Sequence, residues 1–442
     1  MSLNAGAARR DISNRKPLFL VGYPHVPRIS EGIHDPLWAT ALYLDDGKRA
    51  ILSIAVDILF VHHRTARECR EAIAARTGLA PERIMISATH THSGPVTSSI
   101  LSWRDDPTVP KADPEYMAAF KAGIIEAGVE AVSTAQPAAV AVTTAHSEGV
   151  GGNRLAADGT HDHEVGVMVV RRRADRQPLA LQMVYSMHPT VLHEDSRLVS
   201  SDFPHYTREV LTAAMPGLQV LYHNGPSGNL SPRYHVKGQT FAEAERLGAL
   251  LGRQVLEAVR RLGDADFRED LTVDGATCRA ELPPRRFGSV AAAEAELREA
   301  KETYERLKRE GAPHGPVRTA ECTVFGAEER VVLAQAEQAG ETAAILAEYN
   351  PIELQALRIG STILACWPGE CFVEYALQFK QAVPGAFVVS LANGELQGYI
   401  PTPQATGYEA RLSFFEPAAG EVMVTATAAL ARQMLAGAAA AR

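Results

Sequence analysis

Two histidines separated by one residue form the most concentrated group of potential catalytic side chains in the sequence. His90 and His92 lie in ISATHTHSGP, after a short apolar run and directly before Ser-Gly-Pro. On an extended backbone, residues i and i+2 point to the same face, so both imidazoles could converge on one site. The pair is compatible with a metal site, with proton transfer, or with two half-exposed histidines at a strand end.

Three further polar residues also come at the ends of apolar runs. His188 follows LQMVYSM, Glu370 follows ILACWPG, and Tyr399 lies just beyond a glycine that follows VVSLA. A catalytic zinc ion takes nitrogen and oxygen ligands from several rigid elements and keeps one position open for water. Two histidines, one carboxylate and one further oxygen would meet that requirement.

The ordered set of motifs resembles the neutral/alkaline (non-lysosomal) ceramidase family, catalytic domain only. The motifs are, in chain order, SATHTHSGP, NR at Asn153-Arg154, HPT at His188, GNLSP at Gly228–Pro232, PGE at Pro368–Glu370, GYIPT, and YE at Tyr408-Glu409. The order agrees from about Gly22 to Glu409. This resemblance implies a neutral-ceramidase-like catalytic domain that uses Zn²⁺ to hydrolyse an amide bond.

The resemblance also implies roles for individual residues. The zinc ligands would be His90, His188, Glu370 and Tyr399. The catalytic residues fall near the metal: His92 would transfer a proton, Arg154 and Tyr408 would surround the scissile carbonyl, and Ser231 would act as a nucleophile or as an orienting group. In the GNLSP motif, Asn229 stands where the family carries an acid.

We therefore expect a zinc-dependent hydrolase that cleaves an N-acyl amide bond through a metal-activated water, with a place in lipid metabolism. Two alternatives stay open: a zinc esterase or lactonase, and a non-catalytic metal-binding relative of the family. A binding protein would not need both His92 and Tyr408, which favours an enzyme. An independent Ser-His triad is disfavoured because the segment around Ser227 lacks the G-x-S-x-G pattern.

Composition restricts the partners. The 442 residues carry a net charge of −8, which disfavours nucleic acid, and no apolar stretch is long enough for a stable membrane insertion. We expect a small-molecule N-acyl substrate that is smaller or more soluble than ceramide; the sequence leaves the oligomeric state open. Five scattered cysteines disfavour a disulfide framework and indicate a cytoplasmic protein, although a trimmed leader stays possible.

Interleaved strand and helix patterns predict the α/β class, with mixed β-sheets and flanking helices. The pattern predicts a hairpin around Asp46-Gly47, a helix that ends at Gly78, and helices from Phe241 and from about Val290. We expect a single catalytic domain over 1–442, without a C-terminal accessory domain. It would contain a helical excursion at about 283–345 that carries no candidate chemistry.

Other histidines are expected to lie outside the site. His161, His163 and Glu164 precede a predicted strand and favour a surface loop. His62 and His63 are adjacent and would point to opposite faces of a strand. The segment His193–Asp195, or Asp202, is a possible source of hydrogen-bond partners for the zinc histidines.

Overall fold

The computed structural model describes residues 3–23 and 25–440. The strands are β1 (Asn4–Asp11), β2 (Leu20–Val21), β3 (Gly32–Ile33), β4 (Trp38–Asp45), β5 (Ala50–Val56), β6 (Ile84–Ala88), β7 (Gly94–Pro95), β8 (Gln136–His146), β9 (Gly152–Asn153), β10 (Glu164–Arg172), β11 (Pro178–Tyr185), β12 (Leu198–Val199), β13 (Gln219–Asn224), β14 (Leu230–Ser231), β15 (Val273–Ala280), β16 (Ile352–Ile359), β17 (Thr362–Cys366), β18 (Glu370–Cys371), β19 (Phe387–Val389) and β20 (Tyr399–Ile400). The helices are α1 (His63–Thr77), α2 (Pro114–Ser133), α3 (Phe203–Ala214), α4 (Phe241–Arg260), α5 (Val290–Arg309), α6 (His314–Gln338), α7 (Glu341–Tyr349), α8 (Val373–Ala382), α9 (Tyr408–Arg411) and α10 (Ala419–Ala440).

Two mixed sheets form the centre of the fold. The larger has the order β13-β11-β10-β8-β1-β4-β5-β6, with the pairs β5–β6 and β11–β13 parallel and the others antiparallel. The smaller has the order β15-β16-β17-β19, in which only β17 and β19 run parallel. The predicted α/β class with mixed sheets and flanking helices is confirmed.

Alternation along strand β5 shows how the layers are arranged. Leu52 and Ile54 pack with Ile73 of α1 on the helical side of the large sheet. Ile51, on the opposite face, shares a core with Leu357 of the small sheet. Because the strand is buried on both faces, it is a near-continuous apolar run. Helices α3 and α4 cover β10, β11 and β13, and helices α8 and α10 cover the small sheet.

The two edge strands of the large sheet, β6 and β13, are connected by the segment Ser390–Asn393. The backbone N–H of Ser390 donates to Asn224 at the end of β13, and that of Ala88 at the end of β6 donates to Leu391. Ser87 of β6 also contacts His223 of β13, with 2.7 Å between Oγ and Nδ1. Strand ends that are far apart in sheet order therefore meet at one place.

The strongest sequence patterns gave correct elements. The hairpin joins β4 and β5 across Asp46-Gly47, and α1 ends at Gly78, whose φ of +75° suits a residue without Cβ. Strand β1 was not predicted, because its alanines and arginines, NAGAARRD, lack strand character. Pairing with β4 and β8 stabilises it instead.

The prediction for His62 and His63 is wrong. The chain leaves β5 at Val56, and His62 caps the N-terminus of α1, which begins at His63. Their rings therefore lie side by side, with centroids 4.4 Å apart, and His63 Nε2 is 2.9 Å from the Glu348 carboxylate. Within residues 3–23 and 25–440, none of the helices combines the length and apolar character that a membrane crossing requires.

Candidate metal centre and catalytic residues

The four residues predicted as metal ligands lie at neighbouring strand ends. His90 Nε2 and His188 Nε2 lie 3.3 Å and 3.1 Å from the same oxygen, Oε2 of Glu370. Strands β18 and β20 pair in parallel with Glu370 opposite Tyr399, which sets the phenol beside this group. All four side chains are buried or nearly so. Residues separated by hundreds of positions in the chain thus converge on one point.

Backbone carbonyls fix the orientation of each imidazole. His90 Nδ1 lies 2.9 Å from the carbonyl oxygen of Leu59, and His92 Nδ1 lies 3.0 Å from that of Gly22. His188 Nδ1 lies 2.7 Å from Ser227 O and 3.0 Å from Leu230 O. A carbonyl oxygen can only accept, so Nδ1 carries the hydrogen, and in the neutral imidazole Nε2 then presents a lone pair.

This arrangement fits a cation. Nε2 of His90 and of His92 are buried and, within the described residues, lack a hydrogen-bond partner. Neutral imidazole Nε2 and ionised Glu370 are all acceptors, so their close approach requires a positive charge or a shared proton among them. Contacts with His90 and His188 hold the pKa of Glu370 well below its usual range, although burial alone would raise it. The mixed nitrogen and oxygen donors suit Zn²⁺.

The geometry allows two roles for His92. The ligand nitrogens of His90, His92 and His188 all lie within 4.8 Å of one another, so His92 could be a third nitrogen ligand. It could equally stand beside the metal and transfer protons. Burial, with the neighbouring His90 and His188, lowers the pKa of His92 well below its usual value, which favours the neutral, proton-accepting form.

The two histidines of the HxH motif converge, but not for the predicted reason. Their ring centroids are 4.9 Å apart and nearly perpendicular. Strand β6 ends at Ala88, and His90 has a φ of +71°, so the backbone between them is not extended. A left-handed conformation is costly for a residue with a Cβ and is typical of functional sites. The expectation of a strand carrying both imidazoles on one face is therefore wrong.

Gly22 is required for the placement of His92. Strand β2 pairs with β7, which follows the HxH motif, and this pairing brings the Gly22 carbonyl to His92 Nδ1. Gly22 has a φ of +127°, and a Cβ at this position would lie 2.6 Å from His92 Nδ1. Only glycine permits both the conformation and the contact.

Arg154 lies beside the ligands and is held by an acid. Its Nε is 2.8 Å from Glu409 Oε1, and its guanidinium carbon lies 5.5 Å from the centre of the Tyr399 ring. Burial alone would lower the pKa of Arg154, but Glu409 and Tyr399 raise it, so the side chain stays charged. Its Nη2 is buried with no hydrogen-bond partner among the described residues. This donor is therefore available to a substrate oxygen.

Tyr408 contacts a residue that the sequence did not indicate. Its ring centroid is 6.0 Å from that of Tyr399, and its hydroxyl donates to Oε1 of Glu329 across 3.1 Å. Glu329 belongs to α6, within the helical excursion at about 283–345 that was expected to carry no candidate chemistry, so this excursion contacts a predicted site residue. No sequence pattern distinguishes Glu329 from the exposed acids of neighbouring helices.

Ser231 is held next to the Arg154 segment. Strand β14 pairs with β9, which places Ser231 opposite Gly152, and Ser231 Oγ accepts from the backbone N–H of Arg233. Its chain neighbour Leu230 supplies one of the carbonyls that bind His188. Ser231 is therefore tied to the metal centre through the backbone.

Asn229 bridges two parts of the site. Its Nδ2 donates to Glu374, at 2.9 Å from Oε2, and its Oδ1 accepts from the backbone N–H of Val373. Its own carbonyl accepts from the backbone N–H of Arg154. An amide is suited to this position because it both donates and accepts, which a carboxylate cannot do.

The acidic residues that were predicted as possible hydrogen-bond partners of the predicted zinc histidines contact other groups instead. Asp202 accepts from the backbone N–H groups of Leu192 and Phe203, and burial raises its pKa to about 7. His193 pairs with Glu194. His161 and His163 lie on the loop before β10, partly exposed, as predicted.

Comparisons with known proteins agree with the motif order. Residues 4–217 match the sequence model of a family described as neutral/alkaline non-lysosomal ceramidase, N-terminal. The structure is similar to that of the neutral ceramidase from Pseudomonas aeruginosa, at 17% identity and a TM-score of 0.71, over 98% of this chain and 75% of that one. A ceramidase complexed with C2 matches at 16% identity and a TM-score of 0.71, over 98% and 76% of the two chains. The predicted resemblance is confirmed, and the solved structures share the fold.

Proposed function

We propose that this chain, whose residues 4–217 match the sequence model of the neutral/alkaline non-lysosomal ceramidase family, is a zinc-dependent hydrolase that cleaves an N-acyl amide bond. The observation that carries the proposal is the convergence of His90 and His188 on one oxygen of Glu370, with both Nδ1 atoms committed to backbone carbonyls. A bound cation would satisfy all of these acceptors at once. The family is hydrolytic, which supports an enzyme.

The proposed zinc ligands are His90, His188, Glu370 and Tyr399. Bound zinc would supply a water of lowered pKa and would polarise the substrate carbonyl. Burial raises the pKa of the Tyr399 hydroxyl well above its usual value, so Tyr399 would need the cation to become a phenolate ligand. This requirement makes Tyr399 the ligand that depends most on the metal.

The surrounding residues would handle protons and developing charge. His92 Nε2 would accept a proton from the attacking water and pass it to the leaving amine. Arg154 Nη2 and the Tyr408 hydroxyl would donate to the carbonyl oxygen as it becomes negative, and one such donor contributes roughly 3 kcal/mol. Ser231, held by the backbone of Arg233, would orient the substrate amide.

Two exposed apolar side chains lie close in sequence to the proposed catalytic residues Arg154 and Ser231. Leu155 follows Arg154 directly and Tyr234 lies shortly after Ser231, and they are 43% and 52% exposed. The two segments are joined by a hydrogen bond from Arg233 to the carbonyl of Arg154. We propose that an acyl chain lies against these side chains, and that the substrate is smaller or more soluble than ceramide.

Metal analysis and turnover test the proposal together. Protein purified without added metal should contain one zinc per chain and should hydrolyse a member of a panel of N-acyl amides of graded length. His90→Asn should lose zinc and activity. His92→Asn should keep zinc and lose activity if His92 transfers protons, and should lose both if it is a ligand. Circular dichroism of each variant checks folding, and folded wild-type protein without zinc would refute the proposal.

The alternatives are separated by the same panel. Matched esters and lactones would be hydrolysed faster than every amide if the protein is an esterase or lactonase. Zinc-loaded protein that turns over none of these substrates would favour a non-catalytic relative. Arg154 favours the enzyme, because its buried Nη2 has no hydrogen-bond partner among the described residues and a binding site has no use for an oxyanion donor.

A further inference from the structure

Glu329 is buried among neutral hydrogen-bond donors. Its side chain is 2% exposed. Oε1 accepts from the Tyr408 hydroxyl at 3.1 Å, and Oε2 accepts from Trp103 Nε1 at 3.1 Å and from Ser102 Oγ. Ser102 and Trp103 belong to the 3₁₀ turn Leu101–Trp103, which packs on α6. Among the described residues, no arginine, lysine or histidine pairs with this carboxyl.

The charges that face Glu329 from neighbouring elements also disfavour ionisation. Asp106, which follows the 3₁₀ turn, adds negative charge. From α9, Tyr408 contacts Glu329, whereas Glu409 pairs with Arg154. His25 lies beyond Asp106 and interacts with Asp106 and Glu328. Lys301 of α5 pairs with Glu328 instead of Glu329. Among the residues that the structure describes, no cation forms an ion pair with Glu329, so nothing offsets the cost of a buried negative charge at this position.

A glycine in α6 allows Tyr408 to pack against Glu329. Gly326 lies one turn before Glu329 on α6, and a Cβ there would lie 3.0 Å from Tyr408 Cδ2 and 3.3 Å from Tyr408 Cα. Glycine inside a helix is unfavourable relative to alanine. Its presence allows α9 to approach α6 closely enough for the hydroxyl–carboxyl contact.

Tyr408 has one hydroxyl hydrogen, which cannot serve two acceptors at once. An ionised Glu329 can only accept, so it holds this hydrogen and turns the Tyr408 lone pairs toward the site. A neutral Glu329 with its proton on Oε1 donates to the Tyr408 oxygen instead. The Tyr408 hydrogen is then free to point at a substrate carbonyl.

We propose that Glu329 is a positioning residue that sets the direction of the Tyr408 hydrogen, and that the neutral carboxyl is the form in which Tyr408 donates to the substrate. This inference rests on the proposed function, in which Tyr408 stabilises the developing oxyanion. Burial raises the pKa of Glu329 to about 7, against the opposing effect of its three donors. The neutral form therefore dominates below pH 7 and is lost as the pH rises through 7.

Kinetics of Glu329→Gln test the inference. The amide reproduces the neutral carboxyl, because its oxygen can accept from Ser102 and Trp103 while its NH₂ donates to Tyr408. We expect kcat for a soluble N-acyl amide to be close to wild type at pH 6. One pH unit above the pKa of Glu329, the variant should be about tenfold faster than wild type, because kcat of the wild type falls as Glu329 ionises. In a Tyr408→Phe background, the same substitution should leave the pH profile unchanged.

An infrared titration tests the same carboxyl without activity. The wild-type minus Glu329→Gln difference spectrum at pH 6 should show the carbonyl stretch of one buried neutral carboxyl, and this difference band should disappear between pH 6 and pH 8. The subtraction cancels the bands of Asp202 and Glu395, whose pKa values burial also raises to about 7. In Tyr408→Phe, loss of one donor should make this band persist to higher pH. Parallel pH profiles for wild type and Glu329→Gln, or no such band at pH 6, would overturn the inference. Wild-type protein that is inactive but shows the titrating band would overturn only the proposed function.

Discussion

Replacing Glu395 with glutamine should stabilise the protein at alkaline pH and not at acidic pH. Glu395 lies in the loop between β19 and β20 and is fully buried. Its Oε1 accepts from Ser98 Oγ at 2.6 Å and from the Tyr349 hydroxyl at 2.9 Å. Oε2 has no hydrogen-bond partner among the described residues, and the nearest histidine nitrogen, His62 Nε2, is 3.9 Å from Oε1.

The magnitude follows from the pKa. Burial raises the pKa of Glu395 from 4.5 to about 7, although Ser98 and Tyr349 oppose the shift. At 1.36 kcal/mol per unit, ionisation of the folded protein above pH 7 costs about 3 kcal/mol. Because the folded-state pKa is raised, this cost is absent below pH 4.5, grows between 4.5 and 7, and is complete above 7. Glutamine resembles the neutral carboxyl, so it removes the cost only where glutamate would ionise.

The assay is chemical unfolding of wild type and Glu395→Gln at pH 5 and at pH 8. We expect nearly equal free energies of unfolding at pH 5 and a gain of up to about 3 kcal/mol for the variant at pH 8. Glu302→Gln, at an exposed position of α5, is the matched control and should change neither value. An equal gain at both pH values, or a loss at pH 8, would refute the electrostatic reasoning.

Three further predictions concern the close contact of Gly22 with His92, the hydrogen bonds of the Asn229 side chain, and the net charge of the protein. Gly22→Ala should place a Cβ against His92 at a backbone φ of +127°, which is strained for alanine, and should lower the free energy of unfolding by about 1–3 kcal/mol. Measurements of turnover and zinc content in this variant show whether His92 also binds the metal. Asn229→Asp should lower stability by about 1–3 kcal/mol because aspartate cannot donate to Glu374, and Glu374→Gln should restore the thermal midpoint. In co-sedimentation at physiological salt, a net charge of −8 should prevent firm binding to anionic vesicles. Firm binding to neutral or anionic vesicles would contradict the expected soluble substrate.

The predicted ligands could be grouped from the sequence because each of them follows an apolar run that predicts a strand. His188, Glu370 and Tyr399 are each preceded by a buried run that predicts a strand, and the ends of strands meet at sheet edges, where ligands bind. This logic placed residues far apart in sequence on one site without any knowledge of the sheet order. It could not supply the left-handed φ of His90, which depends on contacts made after folding.

The groups that orient the predicted metal ligands could not be predicted from the sequence. The imidazoles are oriented by the carbonyls of Leu59, Gly22, Ser227 and Leu230, and a carbonyl is present at every residue whatever its type. The prediction of Asp or Glu partners for these imidazoles is therefore wrong. Glu329 was missed for a related reason: its burial depends on how α6 packs on α9, which amphipathic periodicity does not determine.

Orientation by the main chain makes the centre sensitive to glycine more than to neighbouring side chains. At Gly22 a Cβ would strike His92, and at Gly228 a Cβ would lie 2.8 Å from the carbonyl oxygen of Glu370. Substitutions of nearby polar side chains leave the carbonyl acceptors in place, so the Nδ1–H tautomers and the Nε2 lone pairs survive. Substitutions of these glycines move the acceptors themselves. Loss of metal binding without loss of any ligand should therefore map to Gly22 and Gly228 rather than to Asp202 or Glu194.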